Sequence, residues 1–314
     1  MIEVPDQLKG RHLTRINDFS SEELRTTLDL ADRLKEALKA REEHALLPGR
    51  TLAMVFAKPS MRTRVSFETG MTQLGGHAIN LRHEEVGLGE REAVEDTAIV
   101  LSRYVDAIMI RTFDQDDVDR LAEHATVPVI NGLTDQTHPC QALADLMTIR
   151  ERFGTLSGIR LAYVGDGNNV CRSLMRGASK FGMRFIAATP EGYEPRHRSI
   201  DETRQVAIQR GGTVELTHDP QLAVEGAQVV YTDTWASMGQ EAERDERRRT
   251  FAGYRVDDAL LARADADAIV MHCLPAHWGE EVTRDVLHGE HSAVWDQAEN
   301  RLHAQKALLA LLVR

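Results

Sequence analysis

Residues 51–74 read TLAMVFAKPSMRTRVSFETGMTQL, and this stretch decides the fold. The apolar run Thr51 to Ala57 has the length of a buried strand, and Val65 to Leu74 has the spacing of an amphipathic helix. Between them, Ser60-Met61-Arg62-Thr63-Arg64 forms a strand-to-helix turn. Such a turn aims free backbone N–H groups, the positive helix end and two cations at one point, which suits a phosphate. Arg62 and Arg64 also offer planar forks that match phosphate oxygens two at a time, as lysine could not. A plain helix start, capped by Ser60 with its arginines in solvent, fits the same letters.

Outward from this stretch, strand-length apolar runs recur at Ala107 to Ile110, Val127 to Ile130, Ile159 to Val164, Arg184 to Ala188, Val214 to Thr217, Val229 to Thr232, Ile269 to Leu274 and Ala293 to Asp296. Helical patterns lie between most of them: Ser21 to Ala40, Glu92 to Tyr104, Gln141 to Arg152, Val170 to Phe181 and Asp201 to Arg210. The alternation predicts an α/β protein of two doubly wound parallel-sheet domains. Ligands in such folds collect at the carboxyl ends of strands. The small-residue turn Phe153 to Gly158 marks the break, with a first domain over 1–150 and a second over 151–298. The apolar helix Glu299 to Val313 needs a large surface to pack on, and residues 299–314 are expected to return to the first domain.

The chain has 314 residues, 42% hydrophobic and 28% charged, enough for two ordinary cores. Its longest strongly apolar stretch, Ala307 to Val313, is too short to span a bilayer. Met1 to Lys9 carries acids and a proline where a signal peptide needs an apolar core, so a cytoplasmic location is expected. A net charge of -11 argues against a nucleic-acid partner. The run Glu241 to Arg249 interleaves acids and bases and reads as a solvated helical face with i, i+4 pairs. Cys140, Cys171 and Cys273 lack the spacing of a disulfide framework or zinc site. His272, Cys273 and His277 suggest zinc at first sight, but neighbouring strand residues point to opposite faces, and no metal is expected.

Four further segments carry chemistry. His138-Pro139-Cys140-Gln141 opens a helix; an imidazole can donate to a carbonyl oxygen and an amide can bond an amide. Gly165-Asp166-Gly167-Asn168-Asn169 follows a strand like a dinucleotide fingerprint, yet Val170 stands where the third glycine belongs. A nicotinamide enzyme is therefore not expected. The two asparagines could grip a small polar ligand, or could be turn residues tolerating left-handed backbone. Asp233 to Gly239 offers a carboxylate for an ammonium group, followed by a flexible hydroxyl and glycine loop. Met271 to Pro275 ends a strand with a thiol.

Together these segments resemble the aspartate and ornithine carbamoyltransferase family, and its ornithine branch closely. The resemblance runs from Phe19-Ser-Ser-Glu-Glu-Leu24 to Glu299-Asn300-Arg301 and rests on five ordered matches: Ser60 to Arg64, His138 to Gln141, Gly165 to Asn169, Asp233 to Gly239 and His272 to Ala276. It implies a carbamoyl-phosphate domain followed by an amino-acid domain, in a homotrimer or a multiple of trimers with active sites near subunit interfaces. Ser60, Met61, Arg62, Thr63, Arg111 and Arg301 would hold the phosphate side. His138 would polarise the carbonyl oxygen, and Gln141 and the Leu274 carbonyl would hold the carbamoyl nitrogen, with Cys273 close by. Asn169, Asp233, Ser237 and Met238 would bind ornithine, with Cys273 beside the reacting amine. Gly87 stands where many relatives carry a glutamine, and Trp278 where an arginine is common.

The implied reaction is carbamoyl phosphate plus L-ornithine giving L-citrulline and phosphate, with Arg62, Arg111, His138, Asp233 and Cys273 as the catalytic set and no cofactor. Putrescine or an acylated ornithine as acceptor, and a non-catalytic phosphate and amino-acid sensor, are the competing readings. The sensor would lack His138, Arg111 or Asp233, and all three are present.

Overall fold

A computed structural model describes residues 2–89, 91–237, 239 and 241–314. The chain divides into two compact units, residues 1–147 with 299–314, and residues 148–298. In the first unit the strands are β1 (Thr51–Phe56), β2 (His77–Arg82), β3 (Ala107–Arg111) and β4 (Val129–Leu133), all parallel in the order β2-β1-β3-β4. Its helices are α1 (Ser21–Lys39), α2 (Met61–Gln73), α3 (His83–Val86), α4 (Val94–Leu101), α5 (Gln115–His124) and the start of α6 (Pro139–Phe153). Alternate strand residues Ala53, Val55, Ile108, Ile110 and Val129 pack against Val94 and Ala98 of α4 and Val118 and Leu121 of α5. Burial on both faces makes these strands read as continuous apolar runs.

The second unit holds β5 (Arg160–Val164), β6 (Arg184–Ala188), β7 (Thr213–Thr217), β8 (Val229–Thr232) and β9 (Ile269–His272), parallel in the order β7-β6-β5-β8-β9. Its helices are α7 (Asn169–Lys180), α8 (His197–Gln209), α9 (Pro220–Val224), α10 (Arg244–Thr250), α11 (Asp258–Leu261) and α12 (Arg284–His288), and α13 (Val294–Val313) ends the chain. The doubly wound α/β class expected from the alternation is the observed one. In both sheets the order reverses beside the first strand of the unit, which makes a switch point at the carboxyl ends of β1 and β5.

Two elements differ from the sequence reading. β2 has a broken pattern, half exposed along its length, because it lies at a sheet edge. The run Ala293 to Asp296, read as a strand, is instead the entry to α13. Only Ser292 bridges Val270 before the chain turns helical, with Gln297 N donating to Ala293 O at 2.9 Å. From Arg301 onward α13 is buried almost all round, and its polar residues are paired within the first unit. Ser66 Oγ donates to Gln305 Oε1 at 2.7 Å, and Lys35 Nζ to Asn300 Oδ1 at 2.7 Å.

Candidate active site

The first group of functional side chains gathers where β1 gives way to α2. Ser60 is the N-cap of α2, its hydroxyl accepting from Thr63 N at 3.2 Å. The amides of Met61 and Arg62, in the first helical turn, have no acceptor within the helix. Ser60 Oγ lies 3.1 Å from Thr63 Oγ1, which also accepts from Arg301 Nη2 at 3.2 Å. Arg301 Nη1 donates to Gln141 Oε1 at 2.8 Å, and Gln141 Nε2 donates to Asp145 Oδ1 at 2.8 Å. This chain of bonds fixes the Gln141 amide with its oxygen toward the arginine. The oxygen keeps a second lone pair suited to an N–H group. Asp145, which the sequence reading did not single out, sits one turn beyond Gln141 on α6. That i, i+4 spacing was its only sequence signal.

His138 enters the same cluster just before α6 and is 4% exposed. Burial, then the positive charges of Arg301, Arg111 and Arg62, hold its imidazole well below its ordinary value. The ring is therefore neutral near pH 7, able to donate a hydrogen bond without adding a fourth cation. Arg111 closes β3 and is itself buried. Arg64 does not join the group: it is exposed and pairs with Glu68 at 3.0 Å along the helix. Met61 is 69% exposed, so its side chain is not buried in the cluster.

The second group lies at the carboxyl ends of β5, β8 and β9. Asn168 caps α7, its Oδ1 accepting from Val170 N and Cys171 N at 2.9 and 3.1 Å. Its Nδ2 donates to Asp233 Oδ2 at 2.8 Å. Cys273 Sγ donates to Asp233 Oδ1 at 3.0 Å, so each oxygen of this buried carboxylate has one partner and a second lone pair of the kind an ammonium group bonds. Asn169 is buried beside Asn168 and Ser237 is half-buried four residues after Asp233; Met238 lies outside the described residues. The Gly167 loop is shaped by packing, because a Cβ there would come within 2.4 Å of Pro195 N. That close approach explains a glycine pattern that resembles a nucleotide fingerprint without being one.

Behind Cys273, His272 is fully buried. Its Nδ1 accepts from Leu274 N at 2.8 Å, so its proton is on Nε2, facing Glu281 Oε1 at 3.1 Å. Leu274 has a left-handed φ of 59° and precedes a cis proline. The histidine thus holds the turn that presents the Leu274 carbonyl. The strand-alternation argument against a shared ligand set fails here, since β9 ends at His272. Among the described residues, Asp233, His272 and Cys273 have ligand atoms within 4.8 Å of one another. The bonds just described already occupy both nitrogens of that histidine.

The run 241–249 is not the purely solvated face expected of it. Arg247 on α10 is 7% exposed; its Nη1 donates to Asp166 Oδ2 at 3.0 Å and to Trp235 O at 2.8 Å. Its guanidinium also stacks 5.0 Å from the centre of the Tyr193 ring. One cation therefore joins the loop after β5 to the loop after β8. Burial raises Asp166 to about 6 even though Arg247 pulls it down. The Trp235 side chain, stacked on Phe251 at 5.8 Å, anchors the same loop in the core.

Two family models match the chain, the second running on through residues 299–312, which pack within the first unit. Residues 11–151 match the carbamoyl-P binding domain of aspartate/ornithine carbamoyltransferase, and residues 157–312 match its Asp/Orn binding domain. The chain belongs to the aspartate/ornithine carbamoyltransferase family. Among its relatives, the ornithine carbamoyltransferase of Pyrococcus abyssi is 56% identical over 306 residues, covering 98% of this chain and 96% of that protein. The anabolic ornithine carbamoyltransferase of Pyrococcus furiosus is also 56% identical over 306 residues, covering 98% and 97%. A solved structure of ornithine carbamoyltransferase from Pyrococcus furiosus superposes with a TM-score of 0.96 at 55% identity, covering 99% of each chain. That of the enzyme from Gloeobacter violaceus gives 0.88 at 46%, covering 98% of this chain and 99% of the other.

Proposed function

We propose that this protein is an ornithine carbamoyltransferase, moving the carbamoyl group of carbamoyl phosphate to the δ-amine of L-ornithine to give L-citrulline and phosphate, in the biosynthesis of arginine. The observation that carries the reading is His138, buried and neutral under the charge of Arg62, Arg111 and Arg301. An uncharged imidazole among three guanidiniums suits a substrate that is anionic at one end and has a polarisable carbonyl at the other. Ser60, the Met61 amide, Arg62, Thr63, Arg111 and Arg301 bind the phosphate. Thr63, Arg111 and His138 stabilise the oxygen that becomes negative as the amine attacks. Gln141 and the Leu274 carbonyl hold the carbamoyl nitrogen.

Asp233, with Asn169, Ser237 and Met238, takes the amino-acid end of ornithine, and Asp233 neutralises its α-ammonium. Cys273 orients the reacting amine rather than forming a covalent intermediate, because carbamoyl phosphate is already activated. The δ-amine has a pKa of about 10 in water and must react neutral; nearby cations and exclusion of water both favour that form. Positioning and charge stabilisation then account for the catalysis.

The working particle is a homotrimer or a multiple of trimers in the cytoplasm. Ile79, Ile99, Val100 and Tyr104 are between 40% and 76% exposed, apolar surface that a neighbouring subunit would cover. Among the described residues no helix is long and apolar enough to cross a membrane. Incubation with carbamoyl phosphate and ornithine should release phosphate and citrulline in equal amounts. Phosphate without citrulline would reduce the protein to a hydrolase or a sensor.

A further inference from the structure

The turn that delivers His138 is held by a buried polar network with no place in the site described so far. It lies within the first unit. Gln115, the first residue of α5, follows Arg111 by four positions, and its side chain is 2% exposed. Its Oε1 accepts from Thr134 Oγ1 and Thr137 Oγ1, both at 2.8 Å, and lies 3.3 Å from Asn131 Nδ2, whose two hydrogens have shorter acceptors in Thr14 O at 2.8 Å and Thr137 Oγ1 at 3.0 Å. Its Nε2 donates to Asp119 Oδ1 at 3.1 Å. Asn131 and Thr134 are fully buried and Thr137 is 3% exposed.

The distances favour one arrangement of protons in this cluster. Each threonine hydroxyl has a single hydrogen, and its shortest acceptor is the Gln115 oxygen. The Thr134 oxygen is then left to accept from Gln136 N at 3.3 Å and Thr137 N at 3.1 Å, closing the turn on itself. The Thr137 oxygen accepts from Asn131 Nδ2 at 3.0 Å. Backbone bonds tie the same turn to the end of β3: Thr112 N donates to Leu133 O at 3.0 Å, and Asp135 N to Phe113 O at 2.9 Å. A bulge prepares this contact, since Ile110 pairs with Asn131 but Arg111 with Leu133, skipping Gly132. A Cβ at Gly132 would lie 2.6 Å from Met109 Sδ and 3.2 Å from Ile110 O, so a larger residue would have to displace the buried methionine.

We propose that Gln115 is a positioning residue for carbamoyl transfer. Its amide oxygen, through Thr134 and Thr137, fixes the turn that sets His138 against the charge of Arg111. The proposal rests on the reading of this cluster as a carbamoyl-transfer site. A network that served packing alone could be apolar at less cost, because buried polar groups contribute little unless all are satisfied. Asn131 Oδ1 is buried without a partner among the described residues, so what the network supplies is direction at Thr137 rather than net stability. His138 directly follows Thr137, about 3.8 Å along the backbone, so a slack Thr137 displaces the imidazole. A displacement of about 1 Å can cost on the order of 100-fold in rate.

The test compares Thr137→Val, which removes the hydroxyl at constant shape, with Thr137→Ser, which keeps it, alongside Gln115→Met. For each full-length variant, kcat, both KM values and the melting temperature are measured in the citrulline assay. Thr137→Val and Gln115→Met should lower kcat by about 10- to 100-fold while the KM for ornithine moves less than about threefold, and Thr137→Ser should regain most of the loss. Variants that melt lower yet keep kcat within about threefold of wild type would overturn the proposal, as would a serine variant no better than valine. The threonine pair decides the matter even if Gln115→Met does not fold. Wild-type protein that forms no citrulline would sink the transfer reading and this inference together, whereas an active wild type with unaffected variants sinks this inference alone.

Discussion

Replacing Arg301 by methionine perturbs the first half-site at its centre while keeping most of the packed stem. The guanidinium is 4% exposed and bonds Gln141 Oε1 at 2.8 Å and Thr63 Oγ1 at 3.2 Å, so the variant frees both side chains and removes a buried cation. Loss of one donor to developing negative charge typically costs about 3–4 kcal/mol, or roughly 100- to 1,000-fold in rate. We expect a fall of that size in kcat/KM for carbamoyl phosphate. Stability should change little, since relief of repulsion from Arg62 and Arg111 opposes the loss of the bonds to Gln141 and Thr63. The pH profile supplies an independent sign. Arg301 is the strongest of the three charges holding His138 down. Without it the imidazole takes up a proton at higher pH, and because the neutral ring is the active form, activity should fail sooner on acidification. Profiles of kcat/KM from about pH 5.5 to 8.5, with thermal melts, test both parts. An unmoved acid limb with kcat/KM within about threefold of wild type would refute the reasoning.

Asp233→Asn should weaken ornithine binding by about 100-fold and leave carbamoyl phosphate binding intact, because the new amide cannot neutralise an ammonium and sets one NH2 group against that of Asn168. Calorimetry with each ligand separately checks this, and equal loss of both would contradict it. Arg247→Gln should raise the KM for ornithine by about tenfold with a smaller change for carbamoyl phosphate, since it unties Asp166 from the Trp235 carbonyl. Steady-state kinetics with each substrate varied distinguishes this from uniform damage. Lys306, bonded to His44 Nε2 at 2.6 Å and Gln73 Oε1 at 2.8 Å, is lowered by burial from 10.5 to about 8. Its folded form binds a proton less readily than its unfolded form, so wild-type stability relative to Lys306→Met should rise with pH from about 8 to 10.5. Parallel urea midpoints for the two proteins across that window would count against it.

The strands of both sheet interiors were legible because burial on two faces writes an unbroken apolar run. The edge strand His77–Arg82 was not, since one exposed side breaks that run. Ser60, Thr63, His138 and Asp233 stood out because their residue types interrupt or end apolar runs where ligands gather. Long-range partners left no such mark. Asn168 beside Asp233, Glu281 beneath His272 and Gln115 beneath Thr137 depend on which loops meet, which spacing along one chain does not record. Arg247 shows the reverse error: in a run of mixed charges, one arginine faces inward to Asp166 while its neighbour Arg248 stays at the surface, paired with Glu280 at 2.6 Å and Asp245 at 3.6 Å.

Whether ornithine is the acceptor is read most directly from kcat/KM for ornithine, putrescine, N-acetylornithine and aspartate at fixed carbamoyl phosphate. Asp233 needs a free α-ammonium beside it, which putrescine and N-acetylornithine cannot offer in the same way, and aspartate has no δ-amine. Ornithine should lead every competitor by about 100-fold or more. A competitor that matches or exceeds ornithine would contradict the account.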